Sequence, residues 1–136
     1  MKTDIYINLP VKDLNKTKAF FSELGFSYNP IFTDENAACM ILNEHACVML
    51  LKETFFKTFI KKEISDAHKT TEVLLAIMLK SRGEVDEFVK KALAMDATEA
   101  REPRDHGFMY DRAFSDPDGH IWEIGWMDMS QFPKKE

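Results

Sequence analysis

The sequence predicts an α+β fold built from two βαβββ modules, on three observations. Segments with strand-like alternation and segments with helical spacing follow one another in the order β-α-β-β-β twice over. Short turns rich in glycine, proline, asparagine and aspartate separate them. The chain then closes on one bulky stretch, Asp116 to Trp126, that must be a turn followed by a strand. At 136 residues the chain suits a single domain over residues 1–136, with module one at 1–64 and module two at 70–128.

From Asp4 to Pro10, residues Ile5, Ile7 and Leu9 alternate with Asp4, Tyr6 and Asn8, the period of a half-buried strand. Asp13 is placed to cap a helix whose apolar residues Leu14, Phe20, Phe21 and Leu24 recur before Gly25 stops it. Phe26 to Phe32 predicts a strand interrupted at Pro30. Ala37–Leu42 and Ala46–Leu51 predict a hairpin turned at Asn43, Glu44 and His45. Phe55, Phe56, Phe59 and Ile60 lie at helical spacing, so Glu53 to Ile64 predicts a connecting helix, and Ser65 to Lys69 a polar linker.

The pattern then repeats. Thr71 to Leu79 predicts a buried strand, Ser81 to Gly83 a turn, and Glu84 to Met95 a helix with Val85, Phe88, Val89, Ala92 and Leu93 inward. A weak strand from Ala97 to Arg101 and a longer one from Phe108 to Phe114 lead to the last, His120 to Trp126. In Asp116-Pro117-Asp118-Gly119 the proline presets φ, the aspartates can bond nearby backbone, and the glycine accepts positive φ. Beyond that turn Trp122, Ile124 and Trp126 fall on one face of the strand, and Ile121, Glu123 and Gly125 on the other. The first face belongs in the core. A carboxylate amid such bulk must meet a metal, a cation, a donor or water, or else face solvent on an edge strand.

Composition narrows the classes of function. Eighteen Lys and Arg against 23 Asp and Glu give a net charge of −5, with no basic excess to suggest nucleic acid. The longest apolar run, Val73 to Leu79, is far below the roughly 20 residues of a membrane helix, so no membrane span is expected. Cys39 and Cys47 lie in apolar stretches without zinc-type spacing, and nothing near Met1 reads as a signal peptide. These features predict a soluble cytoplasmic protein with reduced thiols.

DPDGHIWEIGW at 116–126, together with VKDLNKTKAFFSELGF at 11–26, resembles the vicinal oxygen chelate superfamily, which contains glyoxalase I, extradiol dioxygenases and the bleomycin and fosfomycin resistance proteins. The resemblance implies that each module curls its mixed sheet into half of a cup with its helix outside. It further implies a small-molecule ligand or substrate in the cup and a homodimer. In metal-dependent members the first and last strands of each module carry ligands, typically two histidines and a glutamate or more. Here those places fall on Tyr6, on about Met49, on Val73 or Leu74, and on Glu123.

Of these only Glu123 is an ordinary ligand for a divalent metal, and one carboxylate does not hold a transition metal tightly. No cofactor is therefore expected beyond a metal reached through Glu123 alone. His45, His106 and His120 fall in turns and loops, and His68 in the linker; His68 reaches Glu123 only if the fifth strand starts early. Tyr110 and Arg112 share a strand face where they suit a ligand's carboxylate or phosphate, unless Asp111 or Glu123 neutralises Arg112 in a structural pair. With Tyr6, Asn8, Met49 and Leu74 they make the expected ligand-binding set, mostly apolar with a few polar groups, around Glu123 as the catalytic acceptor or base. Two functions follow from this: a binding protein that needs no metal, or a glyoxalase-like or dioxygenase-like metalloenzyme.

Overall fold

A computed structural model describes residues 1–132. The chain divides into two compact units, 1–66 and 67–136. The fold is α+β, with a mixed sheet and a principal helix in each unit.

In the first unit β1 (Ile5–Val11) is followed by α1 (Leu14–Glu23) and the hairpin β2 (Ala37–Asn43) and β3 (Ala46–Lys52). The strand order is β1-β3-β2, with β1 parallel and β2 antiparallel to β3. Asp13 caps α1 as its position predicts, accepting from the Lys16 N–H at 3.1 Å. At the other end Gly25 takes φ 103°, its N–H donates to the Ser22 carbonyl, and the Phe26 N–H reaches back to the Phe21 carbonyl. This is a Schellman stop, and the Phe21 and Phe26 rings in edge contact at 6.0 Å supply its hydrophobic clasp. Leu14, Thr17, Phe20 and Phe21 are the buried stripe of α1. Leu9, Ala38, Met40, Val48 and Leu50 are buried on one face of the sheet.

Two expectations for this unit are corrected. Phe26–Phe32 forms no strand: Tyr28 makes a single antiparallel bridge to Met40, and Pro30–Phe32 is a 3-10 turn capped by Asn29. Proline fixes φ and removes a donor at the place where a fourth strand would continue. The connecting helix is also far shorter than Glu53–Ile64. It consists of α2 (Glu53–Phe56) and a 3-10 turn at Lys57–Phe59, ended by extended backbone at Ile60. Phe55 and Phe59 still stack edge to face at 5.2 Å, so the spacing that suggested a helix serves a local aromatic clasp.

The second unit contains β4 (Leu74–Met78), α3 (Arg82–Leu93), β5 (Thr98–Asp105), β6 (Met109–Ser115) and β7 (Ile121–Met127), in the sheet order β4-β7-β6-β5. Its first and last strands pair in parallel, as β1 and β3 do. The same topology recurs in the two units, except that the bridge at Tyr28 stands where β5 has a full strand. The described residues thus hold seven strands, not eight. Ser81 to Gly83 is the cap and first turn of α3, not a separate turn. Ser81 Oγ accepts from the Glu84 N–H at 3.1 Å, and Glu84 reaches back to the Lys80 N–H at 2.8 Å, a variant of the capping box. Val85, Val89 and Ala92 of α3 are buried, as are Phe114, Trp122 and Ile124 of the sheet, and the Phe88 ring lies against Phe114 at 6.2 Å. None of the described helices is long and apolar enough to cross a membrane.

Candidate functional site

The turn before β7 fixes everything that follows it. Asp116, almost fully buried, accepts from the Asp118 and His120 N–H groups at 2.9 and 3.0 Å and from the Trp122 indole N–H at 2.9 Å. Burial pushes its carboxyl up from the ordinary value, against the pull of His120 and of the indole bond. Gly119 takes φ 90°, and a Cβ there would lie 2.8 Å from the backbone nitrogen of His68, so only glycine fits. This contact places His68 against the turn. β4 begins at Leu74, later than the predicted Thr71, so the early start that would bring His68 to Glu123 does not occur.

Register then sorts β7 and its neighbours into two faces. Trp122, Ile124 and Trp126 oppose Phe114, Arg112 and Tyr110, all on the face that α3 covers. Trp122 and Ile124 are buried as the alternation predicts, while Trp126 is only half-buried. Tyr110 and Arg112 do share a face. They spend it on Asp86 of α3, which accepts from the Tyr110 hydroxyl at 2.5 Å and from Arg112 Nη1 at 3.4 Å. Burial and the Asp86 bond raise the Tyr110 phenol. Arg112 is thus neutralised, by Asp86 and not by Asp111 or Glu123, and its buried Nε has no partner among the described residues.

The opposite face of the same sheet carries Leu74, Ala76 and Met78 of β4, Glu123 of β7, Asp111 of β6, and Arg101 and Arg104 of β5. Arg101 Nη2 donates to Asp111 at 2.7 Å and to Glu123 Oε2 at 3.0 Å. Arg104 binds Asp111 through Nε and Nη2 at 3.2 and 3.1 Å and lies 3.6 Å from Glu123. Burial raises the Asp111 carboxyl, but the two guanidiniums outweigh it and hold the group below its ordinary value. Burial likewise works against the Arg101 charge, and the bonds to Glu123 and Asp111 outweigh it. Glu123 has therefore met a cation, one of the partners its position demanded.

Neither arginine was singled out from the sequence. Residues three apart in a regular strand point to opposite faces. Here the register slips between Glu99 and Arg101 and again between Arg101 and Arg104, around Pro103, and both guanidiniums come to one side. A proline between two arginines near a strand was the available signal.

The remaining predicted residues lie in both units. In the first, Asn8 and Met49 are register partners, and Tyr6 and Cys47 are the adjacent pair on the same face. Cys39 is on that face too; burial and the Cys47 thiol push its thiol up to about 11. In the second unit Leu74 shares the face of Glu123, and Tyr110 and Arg112 do not.

The immediate company of Glu123 is cationic. Its carboxylate is bonded to guanidinium, and no group of three or more His, Cys, Asp or Glu side chains among the described residues is placed to hold a metal ion.

Comparison with known proteins agrees with the architecture. A search of curated sequences finds no match. Among solved structures, a hypothetical protein from S. aureus aligns with a TM-score of 0.78 at 25% identity, over 93% of this chain and 95% of that one. A glyoxalase-related enzyme from Fulvimarina pelagi aligns with a TM-score of 0.77 at 20% identity, over 93% and 88%. A genomically encoded fosfomycin resistance protein, FosX, from Listeria monocytogenes aligns with a TM-score of 0.67 at 20% identity, over 96% and 97%. At those two identities the likeness is one of fold. The model of the Glyoxalase/Bleomycin resistance protein/Dioxygenase superfamily matches residues 5–124, nearly the whole of both units, and the chain belongs to that superfamily.

Proposed function

We propose that this protein binds a small, partly apolar molecule on the β4-β7-β6-β5 face that α3 leaves open, without the superfamily's complete metal site. The observation that carries this reading is the company Glu123 keeps. A largely buried carboxylate sits at the middle of the face with two guanidiniums beside it, and Leu74 and Met78 on the neighbouring strand are 53% and 49% exposed. Apolar surface with a few convergent polar groups suits an aromatic or amphipathic molecule, and methionine adapts to its shape. Glu123 is then a hydrogen-bond acceptor, or the base, toward a hydroxyl of the bound molecule. Tyr6, Asn8 and Met49 form a second surface of mixed polarity on the first unit. Tyr110 and Arg112, engaged by Asp86, support the sheet from its other side.

The superfamily also has metal-dependent chemistry, and the alternative is a glyoxalase-like or dioxygenase-like metalloenzyme. The guanidinium contacts of Glu123 favour the metal-free reading. A screen of aromatic fragments with the Met78 methyl carbon-labelled tests it: fragments that bind should move the Met78 signal and the amides of β4 and β7. If every perturbation fell on α3, or none appeared, the reading would be wrong.

A further inference from the structure

Within that binding reading, the arrangement of charges on the open face says which ligands it takes. Two carboxylates and two guanidiniums balance to zero, but they are not equally covered. The Asp111 and Glu123 side chains are 15% and 21% exposed, Arg101 28% and Arg104 54%. Of the four side chains the two arginines are the more exposed, Arg104 most of all. Arg104 uses Nε and Nη2 on Asp111, and Nη1, with its two N–H groups, makes no hydrogen bond among the described residues. Arg101 turns Nη1 to the Glu102 carbonyl and Nη2 to the two carboxylates.

Position sets the size of the ligand. Strands pack about 4.8 Å apart, so β5 and β7 are separated by about 10 Å, and the two arginines reach across β6 to come within 3.0 and 3.6 Å of Glu123. Ala76 is the register partner of Glu123 on β4, flanked on the same face by exposed Leu74 and Met78. A charged head at the guanidiniums and an apolar body of about one ring on β4 would lie side by side.

We propose that Arg101 and Arg104 form an oxyanion-binding site that takes a carboxylate or phosphonate joined directly to a small apolar group, and that Glu123 competes with this anion for the same guanidiniums. Arginine suits the task because its planar fork matches a carboxylate or phosphonate two bonds at a time. The competition gives a sign that a structural ion pair lacks. Replacing the Glu123 carboxylate by the neutral amide of Gln loosens its hold on Arg101 and Arg104 and so favours an incoming anion, whereas the same change leaves only a weaker, uncharged acceptor for a neutral alcohol.

The probes are benzoate, phenylphosphonate and benzyl alcohol, titrated into the full chain with the labelled Met78 methyl as reporter. Benzoate and phenylphosphonate should bind at least ten-fold more tightly than benzyl alcohol and weaken as salt is raised. Arg104→Gln should weaken benzoate about ten-fold and leave benzyl alcohol within two-fold, with Arg104→Lys intermediate. Glu123→Gln should tighten benzoate at least three-fold and weaken benzyl alcohol. Asp111 keeps Arg101 as a partner in the Arg104 variants, and circular dichroism checks that they fold. If benzyl alcohol moves Met78 and benzoate does not, or if Arg104→Gln leaves benzoate unchanged, the anion assignment is overturned while the binding face stands. If none of the probes moves Met78, the face itself is wrongly assigned and the anion site falls with it.

Discussion

Trp122 and Glu123 are chain neighbours with opposite fates, and the difference is one of solvation. The indole is 1% exposed and donates to Asp116, while the carboxylate next to it keeps contact with water and with two guanidiniums. Trp122→Ala removes a large buried ring and takes the indole donor from Asp116 Oδ2, so it should cost about 3 to 5 kcal/mol. Glu123→Gln keeps the volume, and although it weakens the hold on the two arginines both keep Asp111, so it should cost much less. Urea midpoints of the two variants check the order, and a reversed ranking would mean that the faces of β7 have been exchanged. That order was readable in the sequence, because alternation along Ile121 to Trp126 assigns the faces without any knowledge of neighbours. Glu123's partner was not readable, since it depends on a register slip two strands away.

At the scale of elements, α3 is held at its start by more than its cap. Arg82 bonds Asp105 at the end of β5, and its guanidinium lies 4.4 Å from the centre of the Tyr110 ring. The Arg82 bond and the Gly107 N–H hold the Asp105 carboxyl at about 2, against an ordinary 3.8. For a carboxylate depressed in the folded state, the stabilisation is present above the unfolded value and is lost as pH falls toward the folded one. The link between α3 and β5 should therefore be intact at pH 5 and released between about 3.8 and 2. Carbon-13 titration of the Asp105 carboxyl should show the low midpoint, and Arg82→Gln should return it most of the way to 3.8; an unchanged midpoint would remove Arg82 as the cause. Helices announced by a cap and a stop signal, such as Leu14–Glu23, were readable from sequence. Glu53–Ile64 has aromatic spacing without either signal, and it stays helical for only one short turn before a second.

The chain as a whole belongs to the superfamily, and metal chemistry is the property of that superfamily to test in it. Lewis-acid catalysis needs a metal fixed by several protein ligands with open positions for substrate. Tyr6, Met49 and Leu74 offer no such fixing, and Glu123 is bonded to arginine. Protein purified from nickel- or zinc-supplemented medium should hold well under one equivalent of metal, and should not turn over the methylglyoxal-glutathione adduct when either metal is added. One equivalent of metal lost on Glu123→Ala would reverse this. We also propose a homodimer, for which light scattering should give twice the 15.8 kDa chain mass; the chain mass itself would reject it.

By itself the sequence determined the class of fold, the faces of its closing strand and the superfamily, because each is written in local periodicity, in turn chemistry or in a short motif. Tertiary structure decided the rest. It gave Tyr110 and Arg112 to Asp86, turned Pro30–Phe32 away from strand pairing, and carried Arg101 and Arg104 to Glu123. The physical reason is that a side chain's partner is chosen by strand register, and one slipped residue reverses every face beyond it.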